Sequence, residues 1–294
     1  MQQGLNSGTI ASRSPGEIKT IPLDVGRGGI AMLINDHFQN FKVYGLPKAQ
    51  LVIADIPYNV GKNAYGSNPS WYVDGDNKNG QSKLAGTDFF DTDKDFKPAE
   101  FMHFCSKMLR KEPKETGTAP CMIVFCEFEQ QFYLIELAKK YGINNYINLV
   151  FRKNFSAQVL KANMRVVGNA EYALLLYREK LPKFNNHGKM VFNVMDWVKD
   201  SNSEKIHPTQ KPVNLLKTLI QIFTDEGDVV IDPVAGSGST LVAALECNRK
   251  AYGFEIKKDF YAAANEWVTR TEAQGMLFKD PRRGGCRKEQ VSLL

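Results

Sequence analysis

Four consecutive residues, Asp55, Ile56, Pro57 and Tyr58, carry the groups needed to bind an exocyclic amine of a nucleobase. They follow the continuous apolar run 51–54, which predicts a buried strand that delivers them at its carboxyl end. The Asp55 carboxylate and the Ile56 carbonyl oxygen can accept the two amine hydrogens and localise the nitrogen lone pair for attack. Pro57 stiffens the turn, and Tyr58 can stack on a base extruded from its helix. A plain turn after a strand is the alternative interpretation.

A second segment that could take part in ligand binding is Asp232-Pro233-Val234-Ala235-Gly236-Ser237-Gly238, which follows the apolar run 229–231. Gly236 and Gly238 let the backbone approach a ligand closely, and the helix expected from Ser239 offers N–H groups at its first turn. This pattern is typical of a site for a nucleotide-like cofactor. A glycine turn that serves packing alone is the alternative.

Two common nucleotide sites are disfavoured in this second segment. A dinucleotide fingerprint requires a third glycine where Leu241 stands, and a phosphate loop requires a Gly-Lys-Ser/Thr sequence that the segment lacks. Glu255 ends the next predicted strand, where a carboxylate can accept hydrogen bonds from both hydroxyls of a ribose. The segment therefore indicates a nucleoside cofactor rather than NAD or ATP.

The elements that must position these residues alternate between strand and helix patterns, which predicts an α/β domain with a mainly parallel sheet. In such a sheet the carboxyl ends of neighbouring strands share one edge, where ligands bind. We expect the strands 146–151 and 172–177 to pair as a hairpin-like edge. The predicted strands are 29–34, 51–54, 121–126, 146–151, 172–177, 228–231 and 251–254, and the predicted helices are 96–111, 128–141, 212–227, 239–248 and 259–272.

Composition sets the class of protein. The chain has 294 residues, 43% of them hydrophobic and 24% charged, which is typical of a globular protein. No apolar run is long enough for a membrane span or a signal core, so the sequence predicts a cytosolic protein. The five cysteines form no Cys-x-x-Cys pair, so neither a metal site nor a disulfide framework is indicated. We expect a catalytic domain at 28–272 between mobile tails at 1–27 and 273–294, the second of them basic.

A net charge of +6 is compatible with nucleic acid as a partner. Positive charge is concentrated between residues 150 and 183, although a solvated face has the same composition. The long polar stretch 61–95 contains aromatic residues that can stack on bases or read their edges. The candidate DNA-binding residues are Trp71, Tyr72, Arg152, Lys153, Lys161, Arg165 and Lys183.

Taken together, the motifs resemble those of the β-class, amino-directed, S-adenosylmethionine-dependent DNA methyltransferases. In that family an Asp/Ser/Asn-Pro-Pro-Tyr motif precedes an Asp-Pro-Phe-x-Gly-x-Gly motif, a circular permutation of the common methyltransferase order. The chain has the same order, and its segment 207–212, His-Pro-Thr-Gln-Lys-Pro, matches the family segment that precedes the second motif. The resemblance extends over about residues 28–270.

The resemblance implies a Rossmann-like class I fold with a twisted seven-stranded, mostly parallel sheet that contains one antiparallel strand. It implies S-adenosylmethionine as the cofactor and 55–58 as the catalytic segment. It also implies double-stranded DNA as the substrate, with recognition elements at 61–95 and 179–205. A homodimer and a cognate restriction endonuclease are partners compatible with this family. The cofactor-binding residues implied are Asp36, Thr209, Lys211, Asp232, Pro233, Val234, Gly236, Gly238, Thr240 and Glu255.

The chain departs from the family pattern at two positions, where Ile56 replaces the first proline of the catalytic motif and Val234 replaces phenylalanine. The leading Asp55 favours adenine N6 as the methyl acceptor. Cytosine N4 methylation and a catalytically silent DNA-binding subunit on the same fold are the alternatives. The pair Pro120 and Cys121 resembles the nucleophile of cytosine-C5 methyltransferases, but it lacks the flanking motifs of that class.

Overall fold

The computed structural model describes residues 29–57, 96–153, 158–161, 166–198, 206 and 210–278, with 158–161, 166–167 and 276–278 described by their backbone alone. The strands are β1 (Ile30–Ile34), β2 (Leu51–Asp55), β3 (Cys121–Cys126), β4 (Asn145–Lys153), β5 (Gln158–Lys161), β6 (Val166–Gly168), β7 (Ala170–Tyr177), β8 (Val194–Trp197), β9 (Val229–Asp232) and β10 (Lys250–Phe254). The helices are α1 (Pro98–Met108), α2 (Phe128–Lys140), α3 (Val213–Phe223), α4 (Ser239–Glu246) and α5 (Lys258–Phe278), and a 3-10 helix covers Phe38–Tyr44.

Eight of these strands form one sheet in the order β1-β10-β9-β2-β3-β7-β4-β8. Seven strands run in the same direction, and β7 is antiparallel to both of its neighbours, β3 and β4. The predicted class I methyltransferase fold, a mostly parallel sheet with one antiparallel strand, is confirmed. The sheet has eight strands rather than the seven predicted. The additional strand is β8, which lies within the region 179–205 and pairs with β4.

Both faces of the sheet are covered, which explains the continuous apolar sequence of its central strands. Along β2, Leu51 and Ile53 join the hydrophobic core beneath α3, α4 and α5. Val52 and Ala54 point to the opposite face and join the core beneath α1, α2 and the 3-10 helix. This alternation of faces is the ordinary consequence of the strand period of two residues.

The predicted pairing of 146–151 with 172–177 is present as the antiparallel pair β4–β7, in which Asn145 lies opposite Tyr177. The pair is not an edge of the sheet, because β8 runs parallel to β4 on its other side. Helix α5 continues to Phe278, beyond residue 272 where the sequence predicts its end.

Within the described residues, no helix is long and apolar enough to cross a membrane. The same residues contain no group of three or more His, Cys, Asp or Glu side chains arranged to hold a metal ion. The strands β2, β3, β9 and β10 end at one edge of the sheet, where the antiparallel β7 begins, and the predicted catalytic and cofactor segments follow β2 and β9 at this edge.

Candidate active site

Asp55 is the last residue of β2, and the turn that follows it is fixed from two sides. The Ile56 N–H donates to the carbonyl oxygen of Phe125 in β3, at 3.2 Å. The carbonyl oxygen of Pro57 accepts a hydrogen bond from the Gln130 side chain at 2.9 Å. The backbone at Ile56 and Pro57 is therefore held rigidly next to Asp55. Tyr58, the last residue of the predicted catalytic segment, lies outside the described residues.

Gln130 holds this turn because α2 begins with a capping box. The Gln130 side-chain oxygen accepts from the Glu127 N–H at 2.9 Å, while the Glu127 side chain accepts from the Gln130 backbone. One Gln130 amide thus caps a helix through its oxygen and binds the Pro57 carbonyl through its nitrogen. Sequence reasoning did not find Gln130, although a Glu-x-x-Gln spacing directly after a buried strand is the signal of such a cap.

The glycine turn that follows Asp232 lies beside Asp55, because β9 and β2 are adjacent parallel strands that end at the same edge. Its two glycines have different tasks. Gly236 has a φ of +50° and would place a Cβ in open space, where the nearest atom is the Val234 carbonyl oxygen at 4.0 Å. Gly238 has a φ of +78° and would place a Cβ 3.2 Å from atoms of Ala264 and Val268 in α5. Gly236 is therefore the glycine that opens toward a ligand, and Gly238 packs against α5.

Asp232 is almost fully buried behind this turn. Its carboxylate accepts from the Val234 N–H at 3.0 Å and from the Thr240 hydroxyl. Burial raises the pKa of Asp232 to about 7, and the nearby carboxylates Asp55 and Glu255 add to this rise. Thr240 is itself buried and supports Asp232 through this hydrogen bond, and its predicted contact with the cofactor stays a prediction.

Glu255 and Asp36 follow the adjacent strands β10 and β1. The two oxygens of Glu255 accept from the N–H groups of Gly236 and Lys257, at 2.9 and 2.7 Å. Burial raises the pKa of Glu255 despite these hydrogen bonds. The carboxylate of Asp36 accepts from Tyr44, Asn40 and the His37 N–H, at 2.6, 2.8 and 2.7 Å. Asp36, Asp232 and Glu255 therefore form a row of acceptors along three neighbouring strand ends.

Lys211 lies beside the predicted catalytic residue. Its ammonium donates to Asp55 Oδ2 at 2.7 Å and lies 3.1 Å from Glu171 Oε2. The contact with the cofactor that the resemblance implied stays a prediction. Thr209, which was also predicted to contact the cofactor, lies outside the described residues, as does His207. Lys211 thus joins the predicted cofactor segment directly to the predicted catalytic residue.

Comparison with known protein families identifies the family to which this chain belongs. The model of the N6_N4_Mtase family, described as DNA methylase, matches residues 49–266. The chain belongs to this DNA methylase family. The DNA adenine methyltransferase YhdJ of Escherichia coli (strain K12) is 26% identical over 260 residues, which cover 81% of this chain and 82% of YhdJ.

Solved structures show the same fold as this methylase. The complex of M1.HpyAVI with SAM has a TM-score of 0.58 at 18% identity and covers 81% of this chain and 99% of that one. The cytosine-N4-specific PvuII DNA methyltransferase has a TM-score of 0.58 at 14% identity and covers 85% of this chain and 94% of that one. The fold is therefore shared with a protein solved in complex with SAM and with a DNA methyltransferase that is specific for cytosine N4.

Two of the basic residues predicted to bind DNA are engaged in ion pairs within the protein. Lys153 ends β4 with a mostly buried side chain that is paired with Glu171, and its contact with DNA stays a prediction. Lys183 is paired with Asp225 and its N–H donates to Ala119, which precedes β3. Lys183 therefore lies at the amino edge of the sheet, about 20 Å from Asp55 by the six-residue length of β3.

The other DNA-binding candidates of the methylase remain predictions. Arg152 is exposed at the carboxyl end of β4 and pairs with Asp196 of β8 at 2.8 Å. Lys161 lies in β5, where only the backbone is described. Arg165, Trp71 and Tyr72 lie outside the described residues, as does the whole loop 61–95.

Two further sequence interpretations can be judged from burial. Cys121 is fully buried, and burial raises the pKa of its thiol. Cys121 therefore cannot act as the thiolate nucleophile of a cytosine-C5 methyltransferase. Pro233 is buried as well, whereas Val234 is partly exposed beside Gly236. Val234 and Gly236 are thus the more exposed residues of the segment 232–238, and the cofactor contacts predicted for the segment stay predictions.

Proposed function

We propose that this methylase transfers the methyl group of S-adenosylmethionine to N6 of adenine in double-stranded DNA. The single observation that supports this proposal most strongly is the position of Asp55. Its carboxylate stands at the end of β2, next to the turn after β9 that bears Gly236, and the Lys211 ammonium holds it in place at 2.7 Å. An acceptor in this position can orient an amino group toward a methyl donor held by the turn.

The catalytic segment acts through two acceptors. The lone pair of an aromatic amine is delocalised into the ring, so the nitrogen is a poor nucleophile until its hydrogens are bound. The Asp55 carboxylate and the Ile56 carbonyl oxygen accept these hydrogens, and the hydrogen bonds of Ile56 to Phe125 and of Pro57 to Gln130 keep the backbone acceptor in position. Catalysis then rests on orientation and proximity rather than on a covalent intermediate.

The donor and acceptor groups around the glycine turn fit S-adenosylmethionine. The cofactor presents an ammonium group and two ribose hydroxyls, which are donors, and the carboxylates of Asp36, Asp232 and Glu255 supply a row of acceptors. Gly236 leaves room for close approach, since a Cβ there would meet nothing nearer than 4.0 Å. When bound, S-adenosylmethionine supplies the electrophilic methyl carbon.

Adenine is the preferred acceptor for two reasons. Aspartate in the leading position of the catalytic segment favours adenine N6 within this family, and YhdJ, which aligns over most of this chain, is named a DNA adenine methyltransferase. Cytosine N4 is the second candidate, because the PvuII enzyme of that specificity has the same fold.

Product analysis separates these candidates. Duplex DNA is incubated with the protein and methyl-labelled S-adenosylmethionine, digested to nucleosides and resolved by chromatography. We expect the label in N6-methyl-2′-deoxyadenosine. Label in N4-methyl-2′-deoxycytidine would replace the proposal by its alternative, and unlabelled DNA would indicate a silent subunit.

A further inference from the structure

A chain of four alternating charges begins at Asp55 and runs into the interior of the protein. Asp55 pairs with Lys211 at 2.7 Å, Lys211 lies 3.1 Å from Glu171, and the other oxygen of Glu171 pairs with Lys153. The four residues come from β2, the segment before α3, β7 and β4, so the sheet order brings them together. No family motif in the sequence contains Glu171 or Lys153.

The exposure of the four side chains shows which of these charges a substrate can reach. The Asp55 side chain is 32% exposed, whereas those of Lys211, Glu171 and Lys153 are 6, 17 and 10% exposed. Asp55 is therefore the member that reaches the reaction site, and the other three lie behind it. A lysine held this deeply costs much free energy unless carboxylates surround its ammonium.

Aromatic rings close the sides of the chain. The Lys211 ammonium lies 5.2 Å from the centre of the Phe125 ring and 5.5 Å from that of Trp197. The Lys153 ammonium lies 4.9 Å from the centre of the same Trp197 ring. Both lysines are thus confined between carboxylates and ring faces, which favour cations over neutral amines. The short strand β8 contributes to the active site by supplying Trp197.

Resting on the proposed methyl transfer, we propose that Glu171 is a positioning residue that holds Lys211 as a cation between two carboxylates and so fixes the orientation of Asp55. Of these four charged residues, only Asp55 touches the target amine. Glu171 acts through Lys211, and Lys153 balances the second charge of Glu171. The arrangement holds the Asp55 acceptor rigidly at the reaction site, while the other three charged groups lie behind it.

The charges around Lys211 support this role. Burial acts to lower the pKa of Lys211, but Asp55 and Glu171 together hold it above its ordinary value. Burial likewise acts to raise the pKa of Glu171, and Lys211 and Lys153 hold it below its ordinary value. Among the described residues, Glu127 is a further carboxyl near Lys211, and its own pKa is raised by burial, with Glu171 contributing to the rise. Glu171 and Asp55 are therefore the groups that keep Lys211 ionised.

The test is Glu171→Gln in the full-length protein. Replacement removes one of the two carboxylates at Lys211, so Lys211 loses its proton at lower pH and Asp55 loses its fixed partner. We expect kcat to fall about 10- to 100-fold, as for a small displacement of a reacting group. The alkaline limb of the kcat profile should move to lower pH, while the calorimetric Kd for S-adenosylmethionine stays unchanged. NMR of 13C-labelled lysine, recorded without cofactor, should show Lys211 titrating at lower pH.

Lys153→Gln is the matched variant, because it breaks the same Lys153–Glu171 ion pair but removes a cation from the surroundings of Lys211. Its alkaline limb should not move to lower pH. Glu246→Gln removes a carboxylate from a separate ion pair with Lys217 and should leave both kcat and the pH profile unchanged. These two variants distinguish the loss of a specific charge from the loss of any ion pair.

Three results would overturn the role of Glu171. They are a wild-type rate in Glu171→Gln, an unshifted alkaline limb in that variant, and an equal loss of kcat and equal limb shift in Lys153→Gln. If Glu171→Gln does not fold, the same downward shift in Lys153→Gln would still contradict the proposal. Failure of the proposed function is distinct, since the wild-type protein would then leave adenine unlabelled in every case.

Discussion

Four carboxyl groups, each at or just after the end of a strand, determine what this site can do, and their surroundings differ. Asp55 is bound by a lysine, Asp36 by side-chain and backbone donors, and Glu255 by two N–H groups. Asp232 is the most deeply buried, and its pKa is raised to about 7. The protein therefore keeps one carboxyl near its titration point at neutral pH behind a cofactor site.

Asp232 makes stability depend on pH. Because its pKa is raised in the folded protein, the native state binds more protons than the unfolded chain between about pH 4 and pH 7, so stability falls as pH rises through this window. Asp232→Asn cannot ionise and should gain about 2–4 kcal/mol over the wild type between pH 4 and pH 8. Urea unfolding of both proteins at the two pH values measures the difference.

Asp225→Asn is the control of opposite sign. Its hydrogen bond with Lys183 holds the pKa of Asp225 below the ordinary value, so ionisation stabilises the fold and the variant should lose stability at pH 8. A gain for Asp232→Asn that is equal at both pH values would show that Asp232 does not titrate in this range.

Local motifs in the sequence predicted where Asp55 and Gly236 stand in the fold, whereas ion pairs between different strands could not be predicted. Asp55 and Gly236 were placed correctly because each follows a buried strand in a matched motif. Lys153 was assigned to the DNA surface because its neighbours along the chain are basic. Its partner Glu171 stands in the next strand of the sheet, and no sequence spacing reports that pairing.

At the scale of elements, the glycine turn between β9 and α4 serves two surfaces at once. Gly236 faces the site and Gly238 begins α4 against α5. The bounds of most helices and strands were predictable because hydrophobic periodicity and glycine stops act locally. Strand β8 was not predicted, since four residues in a polar region carry too little pattern and its pairing with β4 is set by the finished sheet.

Gly238→Ala tests the packing role of the turn. A Cβ at this position meets Ala264 and Val268 at 3.2 Å and also strains a φ of +78°, so we expect a loss of about 3–4 kcal/mol in the free energy of unfolding. Gly227→Ala is the matched control, because its φ of +82° is similar but nothing lies within 4 Å of its Cβ. It should lose only about 1–2 kcal/mol from backbone strain. Equal losses in the two variants would remove the contact with α5 as the cause.

At the scale of the whole molecule, the two edges of the sheet are chemically different. The carboxyl edge carries Asp55, the glycine turn and the exposed Arg152. The amino edge carries Lys183 and a separate pocket of about 240 Å³. On the proposed function, DNA that presents a base to Asp55 lies across the carboxyl edge, so we expect the exposed Arg152 at that edge to contact its phosphates.

Arg152→Ala and Lys183→Ala remove one positive charge each from opposite edges. Each phosphate contact contributes about one unit to the slope of log K against log salt. We expect Arg152→Ala to reduce the slope for duplex DNA by about one unit and Lys183→Ala to leave it unchanged. Fluorescence anisotropy over a salt series measures both. A reduced slope for Lys183→Ala alone would place the DNA at the amino edge.

The central claim is that Asp55 holds the target amine beside a methyl donor bound at the Gly236 turn. Single-turnover methyl transfer by Asp55→Ala, at saturating S-adenosylmethionine and duplex DNA, tests it most directly. The alanine side chain cannot accept a hydrogen bond from the amine, so the rate should fall by at least about 10²- to 10³-fold, while calorimetry gives the wild-type Kd for the cofactor. A rate close to that of the wild type, or loss of cofactor binding together with the rate, would contradict the role given to Asp55.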